Sequence, residues 1–340
     1  MKTNFLKIAA LIEKGVKKGD FPGGQYSLVE NGKIYSGYSG YSSLYPHKTI
    51  LSGNEVYDIA SLTKVVSTTI LILQLIEKKK LSLKTPIKTI LNDYFSDKTT
   101  IFDLLTHQSG LPPIVSNSAN LFSEEDLKAE IFKERFKYDP NQKIVYSDVG
   151  FKLLGFVVEK LYQERLDKVA KREIFAKLKM TKTTYRPDYY LSTTTEYRDD
   201  ALFKGYVRGV VHDERAFLLK GIAGHAGVFS TAADLAKFIV SILNDEKILT
   251  NKSKKELFAT TIIKENANGN NVARSLGYQK FINLPNTHSY LIGHTGFTGC
   301  NLWIDSKNKR GFVLLTNAIH PKREDNKIFS YREEILKMFY

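Results

Sequence analysis

The sequence predicts an α+β fold: one antiparallel sheet assembled from strands near both ends of the chain, flanked by helices, with a mostly helical part inserted between. Three observations predict it. Residues 25–30 and 33–39 are alternating runs separated by Asn31-Gly32, a strong hairpin signal because both positions accept positive φ. Past residue 270 come four short β-rich runs, 276–281, 290–293, 300–305 and 311–317, joined by polar turns. Between these ends the apolar spacing is helical. Residues 1–340 then form a single domain, with 1–60 and 270–340 as the α/β sheet part and roughly 61–269 as the mostly helical part. A site is expected in the cleft between the two parts.

Taken in order, residues 1–20 read as an amphipathic helix with Phe5, Ile8, Ile12 and Val16 on one face, broken by Phe21-Pro22-Gly23-Gly24. The most apolar run, 65–76, is interrupted by Ser67, Thr68, Thr69 and Gln74 and closed by Lys78-Lys79-Lys80. It falls short of the about 20 apolar residues that cross a bilayer, so it is expected as a buried core helix. Short helical or loop pieces follow at 81–90 and 100–105, then a turn-rich stretch at 108–113. Ser123-Glu124-Glu125-Asp126 has the pattern of a capping box and starts a helix to about residue 136. A strongly helical segment, 151–162, follows Tyr146-Ser147-Asp148, whereas 181–200 is polar, poorly periodic and expected as loop. Thr231-Ala232-Ala233-Asp234 opens a helix with Leu235, Phe238, Ile239 and Ile242 on one face, and residues 328–340 form a closing helix.

Composition narrows the class. An apolar fraction of 42%, with 20 Phe and 19 Tyr, is ample for a core. The single cysteine, Cys300, excludes an internal disulfide framework and a thiolate metal site, and fits a reducing compartment. The short apolar run from Ile8 to Ile12 meets Glu13 at once, and no small-residue cleavage site follows, so no signal peptide is read and a cytoplasmic location is expected. The net charge of +14 is spread along the chain, often beside Asp or Glu, with no nucleic-acid-reading motif. It reads as a solvated basic surface: neither a nucleic-acid partner nor stable membrane insertion is expected. Nothing in the sequence fixes an oligomeric state.

The chemistry centres on Tyr57-Asp58-Ile59-Ala60-Ser61-Leu62-Thr63-Lys64. At helical spacing Ser61 and Lys64 share a face, so the lysine reaches the hydroxyl. A serine is a weak nucleophile unless a neighbour takes its proton, and a lysine does so only if burial lowers its pKa. Two further motifs accompany it: Tyr146-Ser147-Asp148 ahead of a helix, and His294-Thr295-Gly296 between two expected strands. A tyrosine beside a lysine loses its proton more readily, which makes Tyr146 a second candidate base. His294 is placed to donate to the leaving group or to a substrate carboxylate. The N–H groups of Ser61 and Phe297 are candidates for an oxyanion hole. His107 and His225, in Gly- and Pro-flanked loops, read as framework hydrogen-bonders. No histidine–carboxylate set has metal-ligand spacing, and His212-Asp213-Glu214 is adjacent in sequence rather than convergent, so neither metal nor cofactor is expected.

The order Ser-x-x-Lys, Tyr-Ser-x, His-Thr-Gly resembles the class C β-lactamase, penicillin-binding-protein and family VIII esterase superfamily. The likeness spans nearly the whole chain and includes the stretches 104–112 and 224–231. It implies a β-lactamase/transpeptidase-like fold with Ser61 as the acylated nucleophile, Lys64 and Tyr146 sharing the proton work, and Asp148, His294, Thr295, Gly296 and Phe297 around the substrate. Two departures redirect that expectation. Members that act on β-lactams and D-Ala-D-Ala peptides usually carry asparagine where Asp148 stands, and an ionised carboxylate is acceptor-only. Asp148 beside Lys64 also holds the lysine protonated, shifting weight to Tyr146. His294 replaces a permanent cation with a group near half-protonation around pH 6.5. Together they point to a serine hydrolase of small esters, with an amide or β-lactam-like substrate, through a D-Ala-D-Ala carboxypeptidase or weak β-lactamase, as the alternative. The rival from another class is a catalytically idle protein that binds a peptide or envelope fragment.

Overall fold

A computed structural model describes residues 2–282 and 290–339 of the chain. The Asn31-Gly32 pair takes positive φ at both positions, +49° and +79°, and joins β1 (Gly23–Glu30) to β2 (Lys33–Ser43). β3 (Thr49–Ile50) extends this edge, and β4 (Tyr57–Asp58) leads to the Ser61 turn. The middle of the chain holds β5 (Thr194–Asp199), β6 (Lys204–Arg208) and β7 (Phe229–Ser230). The C-terminal strands are β8 (Ile262–Glu265), β9 (Asn271–Arg274), β10 (Gln279–Phe281), β11 (Leu291–Thr295), β12 (Asn301–Asp305) and β13 (Arg310–Thr316).

Nine strands form one sheet in the order β3-β2-β1-β13-β12-β11-β10-β9-β8. β1 pairs antiparallel with β13 from Gly24↔Thr316 to Glu30↔Arg310, so the N-terminal hairpin and the C-terminal strands share one sheet. Both faces are covered, which is why its central strands alternate between two apolar sets. Tyr26, Leu28, Phe312, Leu314 and Trp303 face one core with Ile8, Ile12, Ile328 and Ile335 of the first and last helices, α1 (Lys2–Lys18) and α10 (Ile328–Phe339). Val29, Val313, Leu315, Leu302 and Ile304 face the larger core, where Leu235, Phe238, Ile239 and Ile242 of a later helix bury.

The helical part contains α2 (Thr69–Glu77), α3 (Ile101–Leu105), α4 (Glu124–Lys133), α5 (Asp148–Tyr162), α6 (Leu166–Ala170), α7 (Glu214–Leu218), α8 (Ala232–Asn244) and α9 (Asn251–Ala259). α2 and the turns before it are apolar enough over Ala60–Glu77 to cross a membrane by length, but 83% of that stretch is buried inside the fold. It is the core helix expected.

Some elements differ from the sequence reading. The stretch read as loop at 181–200 contains β5, which pairs with β6. β8 and β9 extend the sheet back to residue 262, ahead of the expected boundary at 270. The run 276–281 is a strand only from Gln279, because Gly277, at φ +78°, turns the chain first. α4 stops at Lys133, short of the expected end, although Ser123 accepts the Asp126 N–H as the capping pattern requires.

Candidate active site

Ser61 stands on a tight turn rather than at the start of a regular α-helix. A 3₁₀ turn over Ala60–Leu62 passes into a π-type turn over Lys64–Thr68 and then into α2. Ala60 has φ +47°, a left-handed conformation that costs a non-glycine residue on the order of 1 kcal/mol. Its N–H donates to Asp58 Oδ1 at 2.8 Å, and the Ile59 N–H donates to Val228 O at 3.1 Å, so the strained turn is held from both sides. Gly296, at the end of β11, lies against it: a Cβ there would stand 2.6 Å from Ile59 O. That close approach brings the His294-Thr295-Gly296 strand to the nucleophile's side.

Lys64 has no exposed surface. Its Nζ donates to Ser61 Oγ at 2.9 Å and to His225 O at 3.0 Å, and pairs with Asp148 Oδ1 at 2.8 Å. The Tyr146 ring lies 4.9 Å away. Burial works to lower the Lys64 pKa, but the charge of Asp148 and the Tyr146 phenol outweigh it and leave the ammonium above the ordinary lysine range. Asp148 is the mirror case: burial favours its acid form, and Lys64, His225 and Lys152 nonetheless hold it below the usual carboxylate range. Ser147, not Asp148, is the N-cap of α5, accepting the Gly150 N–H at 3.1 Å and donating to Pro112 O at 2.6 Å. The carboxylate of Asp148 is therefore left to the ion pair.

Tyr146 interacts with both Lys64 and Ser61. Its pKa is raised, because burial penalises the phenolate more than the Lys64 cation favours it. The expectation that the lysine makes the phenolate accessible is thus reversed at rest: Lys64 and Tyr146 both carry their protons. Behind Tyr146, His107 Nδ1 accepts the Ser147 N–H at 3.1 Å, with its ring 4.6 Å from the tyrosine ring, a framework role.

His294 also departs from expectation. Its Nδ1–H donates to Thr295 O at 2.8 Å, which leaves Nε2 as a buried acceptor without a partner. Burial, then the Lys64 and Arg274 charges, push its pKa down to about 3, so the ring is neutral at pH 6.5 rather than half-protonated. In that tautomer it accepts a hydrogen bond from a substrate and cannot donate one to a carboxylate. Thr295 and Phe297 are exposed, and Phe297 stacks on His212 at 5.5 Å.

These groups line a cleft of about 720 Å³. Ser61, Tyr146, Asp148, His294, Thr295, Gly296 and Phe297 all reach it, and Lys64 lies beneath its floor. Sequence reasoning missed Arg274, at the end of β9, whose guanidinium lies 5.6 Å from the Tyr146 ring. Its Nε is buried without a partner, and among the described residues it makes no ion pair. It also missed Asp213, whose Oδ1 accepts from Arg215 N, Ala216 N and the His225 ring at 3.0, 2.7 and 2.9 Å. Asp148, Asp213 and His225 bring potential ligand atoms within 4.8 Å of one another, a convergence that no spacing along the chain reveals. Lys64 already occupies the Asp148 carboxylate of this trio.

Comparison with known proteins fits this geometry. The family model described as Beta-lactamase matches residues 8–337. An N-acetylmuramyl-L-alanine amidase of Bacillus subtilis (strain 168) is 28% identical over 92% of this chain and 81% of its own length. A putative D-alanyl-D-alanine carboxypeptidase of Escherichia coli (strain K12) is 32% identical over 78% of this chain and 69% of its own. Among solved structures, a class C beta-lactamase in complex with cefoxitin superposes with a TM-score of 0.77 at 17% identity, covering 99% of both chains. The octameric penicillin-binding protein homologue from Pyrococcus abyssi superposes with a TM-score of 0.74 at 22% identity, covering 97% of this chain and 81% of that one. Both show the same fold.

Proposed function

The chain belongs to the beta-lactamase family and is a serine hydrolase related to the β-lactamases; from that premise we propose that it acts through an acyl-enzyme on Ser61, with small esters as its readiest substrates. One observation carries this reading. A buried Lys64 cation is directed onto the Ser61 hydroxyl and pinned there by Asp148.

With Lys64 and Tyr146 both protonated at rest, Ser61 is ready to attack only once that pair has lost one proton. The phenolate–ammonium pair, or its neutral tautomer, then accepts the serine proton as Oγ bonds to the carbonyl carbon. The N–H groups of Ser61 and Phe297 receive the oxyanion, and the proton returns to the leaving group. Water releases the acid in a second round of the same transfers. An ester leaving group makes less demand on that proton return than an amide nitrogen does, which favours esters at a site whose His294 is a neutral acceptor.

A second reading has its own support. Arg274 is a partly buried cation in the cleft that makes no ion pair among the described residues. It suits a substrate that ends in a carboxylate, such as an amide of the kind the carboxypeptidase and amidase relatives are named for. Labelling with a fluorophosphonate, read by mass spectrometry, tests the shared core of both. An adduct on Ser61 that disappears in Ser61→Ala is expected, and an unlabelled wild-type protein refutes the assignment. Hydrolysis of an ester panel beside D-Ala-D-Ala peptides and nitrocefin separates the two substrate classes.

A further inference from the structure

Lys152 is one helical turn beyond Asp148 on α5, so the two side chains share a face of the helix. It is 2% exposed, yet among the described residues its ammonium has no hydrogen bond and no direct ion pair. An ammonium so nearly enclosed and without a direct partner is costly to keep charged, and the charges around it decide how far it stays so. The charged groups that face it are Asp148 on its own helix, Asp213 and Arg215 at the start of α7, and Lys64 ahead of α2. His225, seated on Asp213, feels its charge too.

These groups form two clamps on the reactive lysine. Asp148 holds Lys64 Nζ directly, and the His225 carbonyl holds it from a second direction, while the His225 ring is docked on Asp213. Both clamps therefore depend on a carboxylate, and the two carboxylates lie close together, Asp148 paired with the Lys64 ammonium and Asp213 with the His225 ring. A divalent cation is one way to balance such a pair; a second lysine is another. Burial pulls the Lys152 ammonium below the ordinary lysine range, and the charges of Asp148 and Asp213 pull it back.

We propose that Lys152 is a positioning residue for the reaction at Ser61: its buried ammonium supplies the second positive charge against Asp148 and Asp213, and so keeps both clamps closed on Lys64. The inference rests on the reading of Ser61 as the nucleophile. Its sign is definite. Taking away this cation makes proton loss harder at every neighbouring site, so the pH at which the Lys64–Tyr146 pair becomes competent moves up.

The test is the rate of Ser61 labelling by a fluorophosphonate between pH 5 and 10, in wild type, Lys152→Met, Lys152→Arg and Lys152→Met/Asp213→Asn. Lys152→Met is expected to move the rising limb up by about one pH unit and to slow labelling at pH 7.5 about tenfold. Lys152→Arg keeps the charge and should stay within about threefold of wild type. The double variant removes one charge of each sign and should bring the limb back towards its original position, and it also guards against Lys152→Met failing to fold. A Lys152→Met limb that superimposes on wild type overturns the proposal, as does an unrestored limb in the double variant. An equal loss in Lys152→Arg and Lys152→Met with no shift of the limb overturns it in favour of packing. Absence of labelling in the wild type refutes the nucleophile assignment itself, and this proposal with it.

Discussion

Lys64 Nζ and Asp148 Oδ1 are 2.8 Å apart at the base of the cleft, and that pair decides how much of the time the lysine is charged. Asp148→Asn removes the anion that outweighs burial, so the Lys64 pKa falls. The rising limb of Ser61 labelling is expected to move down by one pH unit or more, the opposite direction to Lys152→Met. Asn also supplies an NH₂ donor, so labelling by penicillin should become detectable or faster. The uncompensated buried lysine should lower stability by about 3 kcal/mol, read by urea denaturation.

Arg274 is expected to govern discrimination between charged and neutral substrates. In Arg274→Gln the ratio of kcat/KM for a carboxylate-terminated peptide or ester to that for its methyl-capped counterpart should fall about tenfold or more, a loss of a charge-assisted contact. A ratio that does not move shows that Arg274 serves the electrostatics of His294 and His107 rather than the substrate.

Histidine burial makes the fold acid-sensitive. His294 and His320 are pushed down to about 3 and about 4 by burial, and His107 and His225 are also lowered. His320 Nε2 accepts the N–H groups of Leu44 and Tyr45 at 2.9 and 3.2 Å, contacts that protonation would break. The His294, His320 and His107 rings stay neutral in the fold while the unfolded chain protonates near pH 6.5, so the unfolded state binds more protons below that pH and stability falls as pH falls. The contribution is fully present above about pH 6.5 and shrinks towards the lowered values. Urea midpoints are expected to drop by an amount equivalent to several kcal/mol between pH 7 and pH 5. Histidine ring resonances should show no titration of His294 across that interval.

Legibility followed locality. The Asn31-Gly32 turn and the apolar face of α8 are written in neighbouring residues and are legible there, whereas α5, expected from residue 151, starts at Asp148 under a Ser147 cap. β8 and β9 are not legible, because Ile262–Glu265 and Asn271–Arg274 are four residues each with mixed polarity and owe their pairing to the sheet beside them. The order of Ser61, Tyr146 and His294 pointed to one cleft. His225 was legible as a framework hydrogen-bonder, but Arg274, Asp213 and Lys152 became visible only when the chain brought them there. Lys152 left one local trace, a lysine on the apolar face of α5. The protonation of Tyr146 and His294 was misjudged for a common reason: burial, the dominant influence on both, is invisible in sequence.

Gly224 sets a limit on the tolerance of this arrangement. A Cβ there would lie 2.1 Å from Phe151 O, where the backbone of the His225 segment crosses α5 at Gly155. Gly224→Ala is expected to cost about 3 kcal/mol in urea denaturation and to slow Ser61 labelling, since the displaced segment carries the His225 carbonyl that holds Lys64.

The pairing of β1 with β13 brings α1 and α10 together on one side of the sheet, where the Asn4 side chain donates to Met338 O at 3.3 Å. The order in which the segments are synthesised is therefore separable from the order in which they are stacked. A circular permutant that links residue 339 to residue 2 by a short flexible peptide, with new ends cut at the exposed Asn268-Gly269 turn, would keep every strand neighbour and every cleft residue in place. In such a molecule Arg274, Gln279, His294 and Phe297 would emerge from the ribosome before Ser61, and the wall of the cleft before its nucleophile.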